Sequence, residues 1–368
     1  MTVTRAQMGA RGAAMRLMVA FGTLALLCAG EPALAQVATH VPAPVVGAKA
    51  VTVERITVNS PSIAGNLEGE SADRHVIVVL PPSYARDRAR RYPVVYALHG
   101  YSIGAEQWIE EIHVPQTVEG AFAKGAREFI IVLPDSKTVH NGSMYSSSVT
   151  TGDFENFVAH DLVRYIDGHY RTLPARESRG LVGHSMGGYG ATRIGMKHAD
   201  VFGALYIMSP CCLSPRDPAQ LRPEDLAALA AVKSIDETTR LGFGLRAMLA
   251  SAAAWSPNPK KPLLYLDLPM EDGKVRPDVV AKWAANAPLA FVDQYIGQLK
   301  RYRAIAIDVG DQDGLRFDAR KLHDTLDAYG IVNGFEIYPG THTSDVAFRY
   351  QDRVMRFFSA HLPFSAKR

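Results

Sequence analysis

The sequence predicts an α/β fold in which a mostly parallel sheet is covered by helices on both faces. Apolar runs such as 93–98 and 129–133 are typical of buried strands, and in 153–170 the apolar residues recur at helical spacing. Segments of these two kinds alternate along most of the chain. Because each connection between parallel strands has to cross a face of the sheet, this alternation favours helices on both sides.

The predicted elements follow an Ala-, Val- and Pro-rich stretch, residues 36–50, which we interpret as a linker. Strands are predicted at 51–58, 75–80, 93–98, 129–133, 180–182, 203–208, 304–309 and 335–338, and helices at 153–170, 186–198 and 344–361. No internal repeat is present in the sequence. Residues 51–368 are therefore expected to form one domain.

Residues 213–300 interrupt the alternation between the sixth and seventh predicted strands. The segment contains helical pieces at 223–235, 237–255 and 277–301, a proline-rich stretch at 256–262 and a strand-like run at 263–267. An insertion at this place suits a cap over a pocket. Trp255, Met270 and Trp283 are candidates for lining a site for an apolar or aromatic group. The alternative is that the tryptophans anchor the insertion to the sheet.

The first 35 residues have the organisation of a secretory signal peptide. Three arginines precede the apolar stretch Leu17 to Ala29, and the small-residue sequence Ala33-Leu34-Ala35 follows it. The apolar stretch is short for a membrane span, and the bulky Leu27 before Cys28 is a poor match to a lipoprotein signal. We therefore expect cleavage near Ala35 and a periplasmic or secreted mature chain.

The charge of the mature chain argues against nucleic-acid or membrane-surface partners. Lys and Arg number 40 and Asp and Glu 37 in the full chain; without the first 35 residues they number 37 and 36, and the net charge falls from +3 to +1. A nearly neutral chain offers no basic footprint for nucleic acid or anionic lipid. No His, Cys, Asp or Glu cluster has metal-ligand spacing, so neither a metal nor a cofactor is expected.

Gly183-His184-Ser185-Met186-Gly187 stands between an apolar strand and a predicted helix. A strand, a one-residue corner and a helix form a nucleophile elbow, which holds the serine in a strained backbone conformation with its hydroxyl projecting. Glycines on both sides of the corner let the strand and helix approach closely. Ser185 is therefore the candidate nucleophile for attack on an acyl carbon.

A serine hydroxyl needs a histidine to take its proton and a carboxylate to orient that histidine. Hydrolases with this elbow carry the three groups in the order serine, acid, histidine. After Ser185, one predicted strand ends among Asp308, Asp311 and Asp313, and a later strand ends at a turn that presents His342. Both lie at carboxyl ends of strands, where open α/β sheets collect their sites. The residues leave the three aspartates as alternatives for the acid.

Four segments resemble the esterase D-like family of α/β-hydrolases, which includes S-formylglutathione hydrolases, feruloyl esterases and antigen 85 mycolyltransferases. The segments are Tyr92–Gly100, Gly183–Gly188, Asp308–Asp313 and Gly340–His342. The resemblance covers about residues 52–362 in order and is least specific in the insertion. It implies the α/β-hydrolase fold, with a helical insertion between strands 6 and 7.

The resemblance also implies roles for individual residues. Ser185 would be the nucleophile, Asp313 the acid and His342 the base. The backbone N–H groups of Tyr101 and Met186 would form an oxyanion hole, and Met186 suits this role because its N–H lies at a helix N-terminus.

Further residues are expected around the pocket. His99 and His184 flank the two segments that would carry the oxyanion hole and the nucleophile. Cys211 and Cys212 follow the strand after the elbow helix and should border the mouth of the site. The two cysteines are either small residues lining the end of a strand or partners in a strained bond with each other.

These observations lead to the expectation of a secreted serine carboxylesterase that works through an acyl-serine intermediate. Its substrate would be a small-molecule or polymer-linked ester, and the family resemblance suggests aryl or feruloyl-type esters. The first alternative is an acyltransferase of the antigen 85 type that uses the same triad. The second is a catalytically silent hydrolase fold that binds a ligand. The sequence leaves the oligomeric state open and gives no reason to expect stable membrane insertion.

Overall fold

The computed structural model describes residues 37–215 and 222–365, and within these ranges eight strands form one mixed sheet. The strands are β1 (Thr52–Asn59), β2 (Asp73–Leu80), β3 (Val94–Leu98), β4 (Ile130–Pro134), β5 (Arg179–His184), β6 (Ala204–Met208), β7 (Ala304–Gly310) and β8 (Gly334–Tyr338). Their order across the sheet is β1-β2-β4-β3-β5-β6-β7-β8. β2 is antiparallel to β1 and β4, and the remaining pairs are parallel.

Helices connect the strands and build the insertion. They are α1 (Ala105–Glu111), α2 (Val114–Ala123), α3 (Phe154–Asn156), α4 (Leu162–His169), α5 (Met186–Lys197), α6 (Pro223–Ala230), α7 (Phe243–Trp255), α8 (Pro277–Ala285), α9 (Pro288–Phe291), α10 (Ile296–Leu299), α11 (Arg316–Ala328), α12 (Val346–Arg349) and α13 (Met355–His361). A π-helical turn joins α3 to α4 at Phe157–Asp161, and another joins α12 to α13 at Tyr350–Val354.

The sheet separates two hydrophobic cores. Alternate residues of β2 contribute to opposite cores, since Val76 and Val78 belong to one cluster of buried side chains and Ile77 and Val79 to the other. α4, α5, α7 and α11 cover the first face, and α1, α2, α12 and α13 cover the second. The predicted α/β architecture, with helices on both faces and a helical insertion between the sixth and seventh strands, is therefore confirmed.

The strands were easier to predict than three of the helices. α1, α2 and α11 are absent from the sequence prediction. In α11 the buried residues Ala319, Leu322 and Leu326 recur at spacings of three and four in an otherwise polar segment. This narrow apolar stripe is sufficient for a helix that contacts the sheet along one side.

Two details of the insertion differ from the prediction. Residues 263–267 form a turn with a single bridge between Pro257 and Leu266 rather than a strand, and Leu263 and Tyr265 have positive φ values of 95° and 50°. The predicted helix 277–301 is divided into α8, α9 and α10. Pro288 cannot donate the backbone hydrogen bond that would continue α8, and it becomes the first residue of α9.

The segment interpreted as a linker has neither helix nor strand in its described part, residues 37–50, and it is hydrogen-bonded to the domain. The Val37 N–H donates to Glu111 at 2.8 Å, and the His40 N–H donates to the Ser344 carbonyl at 2.6 Å. The predicted signal peptide, residues 1–35, lies outside the described residues. Among the helices that are described, none has the length and apolar character needed to cross a bilayer.

Candidate active site

Ser185 occupies the corner between β5 and α5 with φ 59° and ψ −115°, a strained conformation for a residue with a side chain. Its N–H donates to the Met208 carbonyl at 3.1 Å, which fixes the corner to β6. A Cβ atom on Gly183 would collide with the backbone of Gly187, and one on Gly187 would collide with the carbonyl of Leu98. Only glycine fits at both positions, and the hydroxyl of Ser185 is left accessible.

Ser185, His342 and Asp313 form a continuous hydrogen-bonded chain. His342 Nε2 lies 2.9 Å from Ser185 Oγ, and His342 Nδ1 lies 2.7 Å from Asp313 Oδ2. An ionised carboxylate can only accept, so Nδ1 carries a proton and Nε2 is free to accept the proton of the serine hydroxyl. The three residues come from the ends of β5, β7 and β8, which bring together groups separated by 157 and 29 positions in the sequence.

Of the three candidate aspartates, only Asp313 is bonded to His342. Burial would raise the pKa of the Asp313 carboxyl, but hydrogen bonds from His342, the Leu315 N–H and Ser209 outweigh it and hold that pKa below its usual value. The carboxylate is therefore ionised and able to orient the imidazole across the neutral pH range.

The other two aspartates have structural contacts. Asp311 lies at the surface, and its Oδ1 accepts the N–H of Gly340 at 3.0 Å, which braces the loop before His342. Asp308 is buried within β7, where its Oδ2 accepts from Arg349 Nε at 2.6 Å and from the Tyr206 hydroxyl at 2.8 Å. Burial raises the pKa of Asp308, so its ion pair with Arg349 is what stabilises the charge.

The backbone groups expected to form the oxyanion hole belong to Met186, which follows Ser185 in the chain, and to Tyr101, which follows Gly100. Met186 is the first residue of α5, and its N–H has no partner within the helix. Tyr101 follows the turn at Gly100, where an added Cβ would lie 3.6 Å from Ser185 Cβ. The Tyr101 hydroxyl donates to the His140 carbonyl at 2.9 Å, which ties this turn to the loop after β4.

His99 supports that turn from beneath rather than lining the pocket. Its ring is fully buried, Nε2 accepts the Ser136 N–H at 2.9 Å, and Nδ1 donates to the Gly100 carbonyl at 2.8 Å. Burial lowers the pKa of His99, which keeps the ring neutral in this tautomer. The sequence predicted that the His99 side chain lies beside the pocket. In the structure the side chain is buried and fixes the backbone before Tyr101.

His184 is likewise buried, and it contacts both the backbone and the ring of His342. Its Nε2–H donates to the His342 carbonyl at 2.8 Å, and its ring lies between Trp108, with centroids 5.6 Å apart, and the His342 ring, at 4.8 Å. Burial, followed by repulsion from His342, lowers the pKa of His184 to about 3. A neutral ring therefore holds the backbone of His342 over Ser185.

Trp255 and Trp283 are buried, and Trp255 joins the insertion to the rest of the domain. The Trp255 indole N–H donates to Ser146 Oγ at 3.3 Å and the Trp283 N–H to Ser256 Oγ at 2.9 Å. The two rings meet edge to face at 5.5 Å, and Trp255 also contacts Tyr189 of α5. The contacts of Trp255 correspond to the anchoring interpretation, whereas the Trp283 contacts to Ser256 and Trp255 lie within the insertion. Met270 contributes instead to a groove of about 340 Å³ within the insertion.

Two further residues have contacts near Ser185. One, Cys211, was predicted to border the mouth of the site, and the other, Phe243, was not predicted from the sequence. The Cys211 N–H donates to the Ser185 carbonyl at 3.1 Å, so the structure places the cysteine pair beside Ser185. Phe243, the first residue of α7, was not a candidate. Its side chain is 63% exposed, and its ring meets the Tyr101 ring edge to face at 5.3 Å. The available signal was an aromatic residue inside the predicted helical piece 237–255 of the insertion.

Within the described residues, no group of three His, Cys, Asp or Glu side chains is arranged to hold a metal ion. The arrangement that is present can activate a serine oxygen and stabilise negative charge beside it. Together with the sheet order, these features define an α/β-hydrolase with a serine nucleophile elbow.

The family model described as "Putative esterase" matches residues 70–351. The chain therefore belongs to this esterase family, as the resemblance of its four sequence segments predicted.

Curated relatives match part of the chain. Esterase Rv1288 of Mycobacterium tuberculosis is 30% identical over 133 residues, which make up 35% of this chain and 27% of that protein. The endo-1,4-beta-xylanase/feruloyl esterase of Xylanibacter ruminicola is 26% identical over 146 residues, 38% of this chain and 20% of that protein. The matched part thus spans about a quarter of the length of these relatives or less.

Solved structures share the fold over most of the chain. A ferulic acid esterase superposes with a TM-score of 0.62 at 22% identity, covering 86% of this chain and all of that one. S-formylglutathione hydrolase FrmB of Staphylococcus aureus gives a TM-score of 0.56 at 15% identity, covering 85% of this chain and 99% of its own. At these identities the similarity establishes the α/β-hydrolase fold.

Proposed function

We propose that this protein is a serine carboxylesterase that hydrolyses carboxylic esters through an acyl-serine intermediate. The observation that carries the proposal is the hydrogen-bonded chain from Ser185 through His342 to Asp313. Its distances of 2.9 and 2.7 Å allow proton transfer without rearrangement of the side chains. Membership of the esterase family supports the reaction class.

In the first half of the reaction, His342 Nε2 takes the hydroxyl proton as Ser185 Oγ bonds to the ester carbonyl carbon. The carbonyl electron pair moves onto its oxygen, which the N–H groups of Tyr101 and Met186 receive. When the tetrahedral intermediate collapses, the bond to the alcohol oxygen breaks. His342 gives its proton to the departing alcohol, and the acyl group remains on Ser185.

In the second half, water enters the place of the alcohol. His342 takes a proton from the water as the hydroxide attacks the acyl carbon, and the same backbone donors hold the second oxyanion. The bond to Ser185 Oγ then breaks, the serine regains its proton from His342, and the carboxylic acid leaves. Asp313 remains ionised throughout and stabilises the imidazolium form of His342.

A fluorophosphonate probe and pre-steady-state kinetics test the intermediate. We expect the probe to label Ser185, as located by peptide mass spectrometry, and a p-nitrophenyl ester to give a burst of product stoichiometric with enzyme. Ser185→Ala should abolish both signals, and Ser359→Ala, on α13, serves as the matched control. Labelling that persists in Ser185→Ala would contradict the proposal. A burst followed by transfer to an added alcohol, with little free acid, would indicate an acyltransferase.

We propose aryl or feruloyl-type esters as the substrate class, supported by the feruloyl esterase activity named for the Xylanibacter ruminicola relative. The test compares kcat/KM for methyl ferulate with that for p-nitrophenyl esters of graded acyl length. A preference for short linear acyl groups over methyl ferulate would contradict this assignment and leave the esterase proposal intact.

We also propose export of the protein, because the first 35 residues have the three-part pattern of a signal peptide. The mature chain is expected to begin near Gln36. Mass spectrometry of protein recovered from the periplasm or medium checks this expectation, and a recovered chain that still begins at Met1 would count against it.

A further inference from the structure

Cys211 and Cys212 lie directly against the nucleophile elbow. They follow β6 after Ser209 and Pro210, and the Cys211 N–H donates to the carbonyl of Ser185 at 3.1 Å. Cys211 is partly exposed, whereas Cys212 is almost buried. A chemical change at this pair is therefore transmitted through one backbone hydrogen bond to the residue that carries the reactive hydroxyl.

The backbone brings the two thiols to the same side of the chain. Successive side chains of an extended segment point in opposite directions, but Cys212 has a φ of 62°, in the left-handed region that residues with side chains seldom adopt. With the alternation broken at this residue, the two sulfur atoms lie 2.6 Å apart. Small side-chain rotations then bring them to bonding distance.

We propose that Cys211 and Cys212 are a reversible oxidation site that forms a vicinal disulfide and fixes the backbone beside Ser185. The oxidant is a disulfide, either of a protein thiol oxidase or of glutathione. The more exposed Cys211 thiolate attacks one sulfur of the oxidant and releases a thiolate. The Cys212 thiolate then attacks Cys211 Sγ and releases the second thiol. The pair loses two protons and two electrons, and the oxidant is reduced to two thiols.

The bond is expected to respond to redox conditions rather than to act as a permanent staple. Neighbouring Cα atoms are about 3.8 Å apart across a trans peptide, whereas disulfide-linked Cα atoms usually lie about 4.4–6.8 Å apart. A bond across this shorter span is strained, and strained disulfides are reduced more readily. The predicted signal peptide would deliver the pair to a compartment where disulfides persist.

Closing the ring restricts the backbone between the Cα atoms of Cys211 and Cys212, and the Cys211 Cα is bonded to the nitrogen whose N–H donates to the Ser185 carbonyl. The elbow is then better organised for attack, so the oxidised protein should have a kcat/KM several-fold higher than the reduced protein. This effect on rate rests on the proposed esterase function. The oxidation itself does not.

The chemical test equilibrates the exported protein with glutathione buffers of graded oxidised-to-reduced ratio, alkylates the thiols present and analyses the peptide containing Cys211 and Cys212. In oxidising buffer we expect no alkyl group and a mass lower by two hydrogens than the dithiol. In reducing buffer we expect two alkyl groups. Alkylation of both cysteines in every buffer, a glutathione adduct as the final product, or disulfide-linked dimers would overturn the proposal.

The functional test measures kcat/KM for p-nitrophenyl acetate in the same buffers, for the wild type and for Cys212→Ser, which keeps Cys211 but cannot close the ring. We expect the wild type to gain activity on oxidation and Cys212→Ser to show a constant kcat/KM. An equal response of both proteins would overturn the link to the elbow. Absence of ester hydrolysis in every buffer would count against the proposed function, while the peptide masses would still decide whether the ring forms.

Discussion

Ser185, Asp313 and His342 lie at the edge of the sheet formed by the carboxyl ends of the parallel strands. This sheet edge and the insertion of residues 213–300 are held in place by different kinds of contact. At the sheet edge, backbone pairing sets the positions, since Met208 of β6 is in register with His184 of β5 and with Asp308 of β7. The insertion is attached through side chains, among them the indole of Trp255, which donates to Ser146 Oγ, and the side chain of Asn286, which accepts from Arg193.

This difference separates the chemistry from the choice of substrate. Backbone ladders persist when side chains change, so the relative positions of nucleophile, acid and base depend little on the sequence of the insertion. A contact made by a single side chain, such as an anchor of the insertion or the exposed ring of Phe243, is lost when that one residue is substituted. We therefore expect substitutions at the sheet edge to abolish the reaction, and substitutions in the insertion to alter which esters react.

The largest effect is expected from Ser185→Ala. Without the nucleophile, the remaining triad members cannot form an acyl-enzyme, and kcat for p-nitrophenyl acetate should fall about 10⁴-fold or more. Circular dichroism should show an unchanged fold, because the strained backbone at this corner is set by the glycines on either side. Retained activity in a folded variant would place the reaction elsewhere in the molecule.

Asp313→Asn should lower kcat by about 10⁴-fold or somewhat less, because an amide stabilises the wrong imidazole tautomer. Asp311→Asn is the matched control, since that carboxylate accepts only the Gly340 N–H and an amide oxygen can do the same. Steady-state hydrolysis of one ester by both variants makes the comparison. A reversed order of the two effects would assign the acid role to Asp311.

Substitutions at His184 test whether the position of His342 at the sheet edge depends on side-chain contacts as well as on backbone pairing. His184→Ala removes the donor to the His342 carbonyl, and the resulting shift of the base should lower kcat by about 10²-fold. His184→Gln retains an N–H donor and should recover part of this loss. If both variants keep full activity, strand pairing alone positions His342.

The same ring makes stability depend on pH. The folded protein binds a proton at His184 only near pH 3, whereas an unfolded chain binds it near pH 6.5, so stability is complete above about pH 6.5 and declines as pH falls toward 3. This decline contributes up to about 1.4 kcal/mol per pH unit. The free energy of unfolding, measured by urea denaturation at pH 7, 6 and 5, should fall less steeply with decreasing pH for His184→Gln than for the wild type. An equal fall for both proteins would show that the ring does not resist protonation.

The smallest effect is expected in the insertion. Phe243→Ala removes an exposed ring from Tyr101 and should lower kcat/KM several-fold for methyl ferulate and little for p-nitrophenyl acetate. Tyr329→Ala is the control, because this exposed aromatic follows α11 about 20 Å along the helix from the Asp313 end. An unchanged ratio of the two esters in Phe243→Ala would mean that the insertion contributes no aromatic contact to the substrate.

Local sequence patterns predicted the strands and the elbow because each depends on residues close together in the chain. The role of Asp308 was not predictable in this way. It differs from Asp313 by lying inside β7 opposite Arg349, a partner 41 positions away. The environment of Trp255 depends on Ser146, which is 109 positions away. Such contacts are set by tertiary packing, and short-range periodicity does not encode them.

The beginning of the described chain lies against the loop of the base. His40 and Thr39 contact Ser344, two residues after His342, and Thr39 Oγ1 also accepts the Ala347 N–H at 3.1 Å. Cleavage at the proposed site near Ala35 would leave this brace in place. Proteolytic trimming past Thr39 would remove these contacts and is expected to change the setting of His342, although the removed residues include no member of the proposed triad. Residues that precede the first strand of the sheet are thereby expected to influence turnover at the proposed active site.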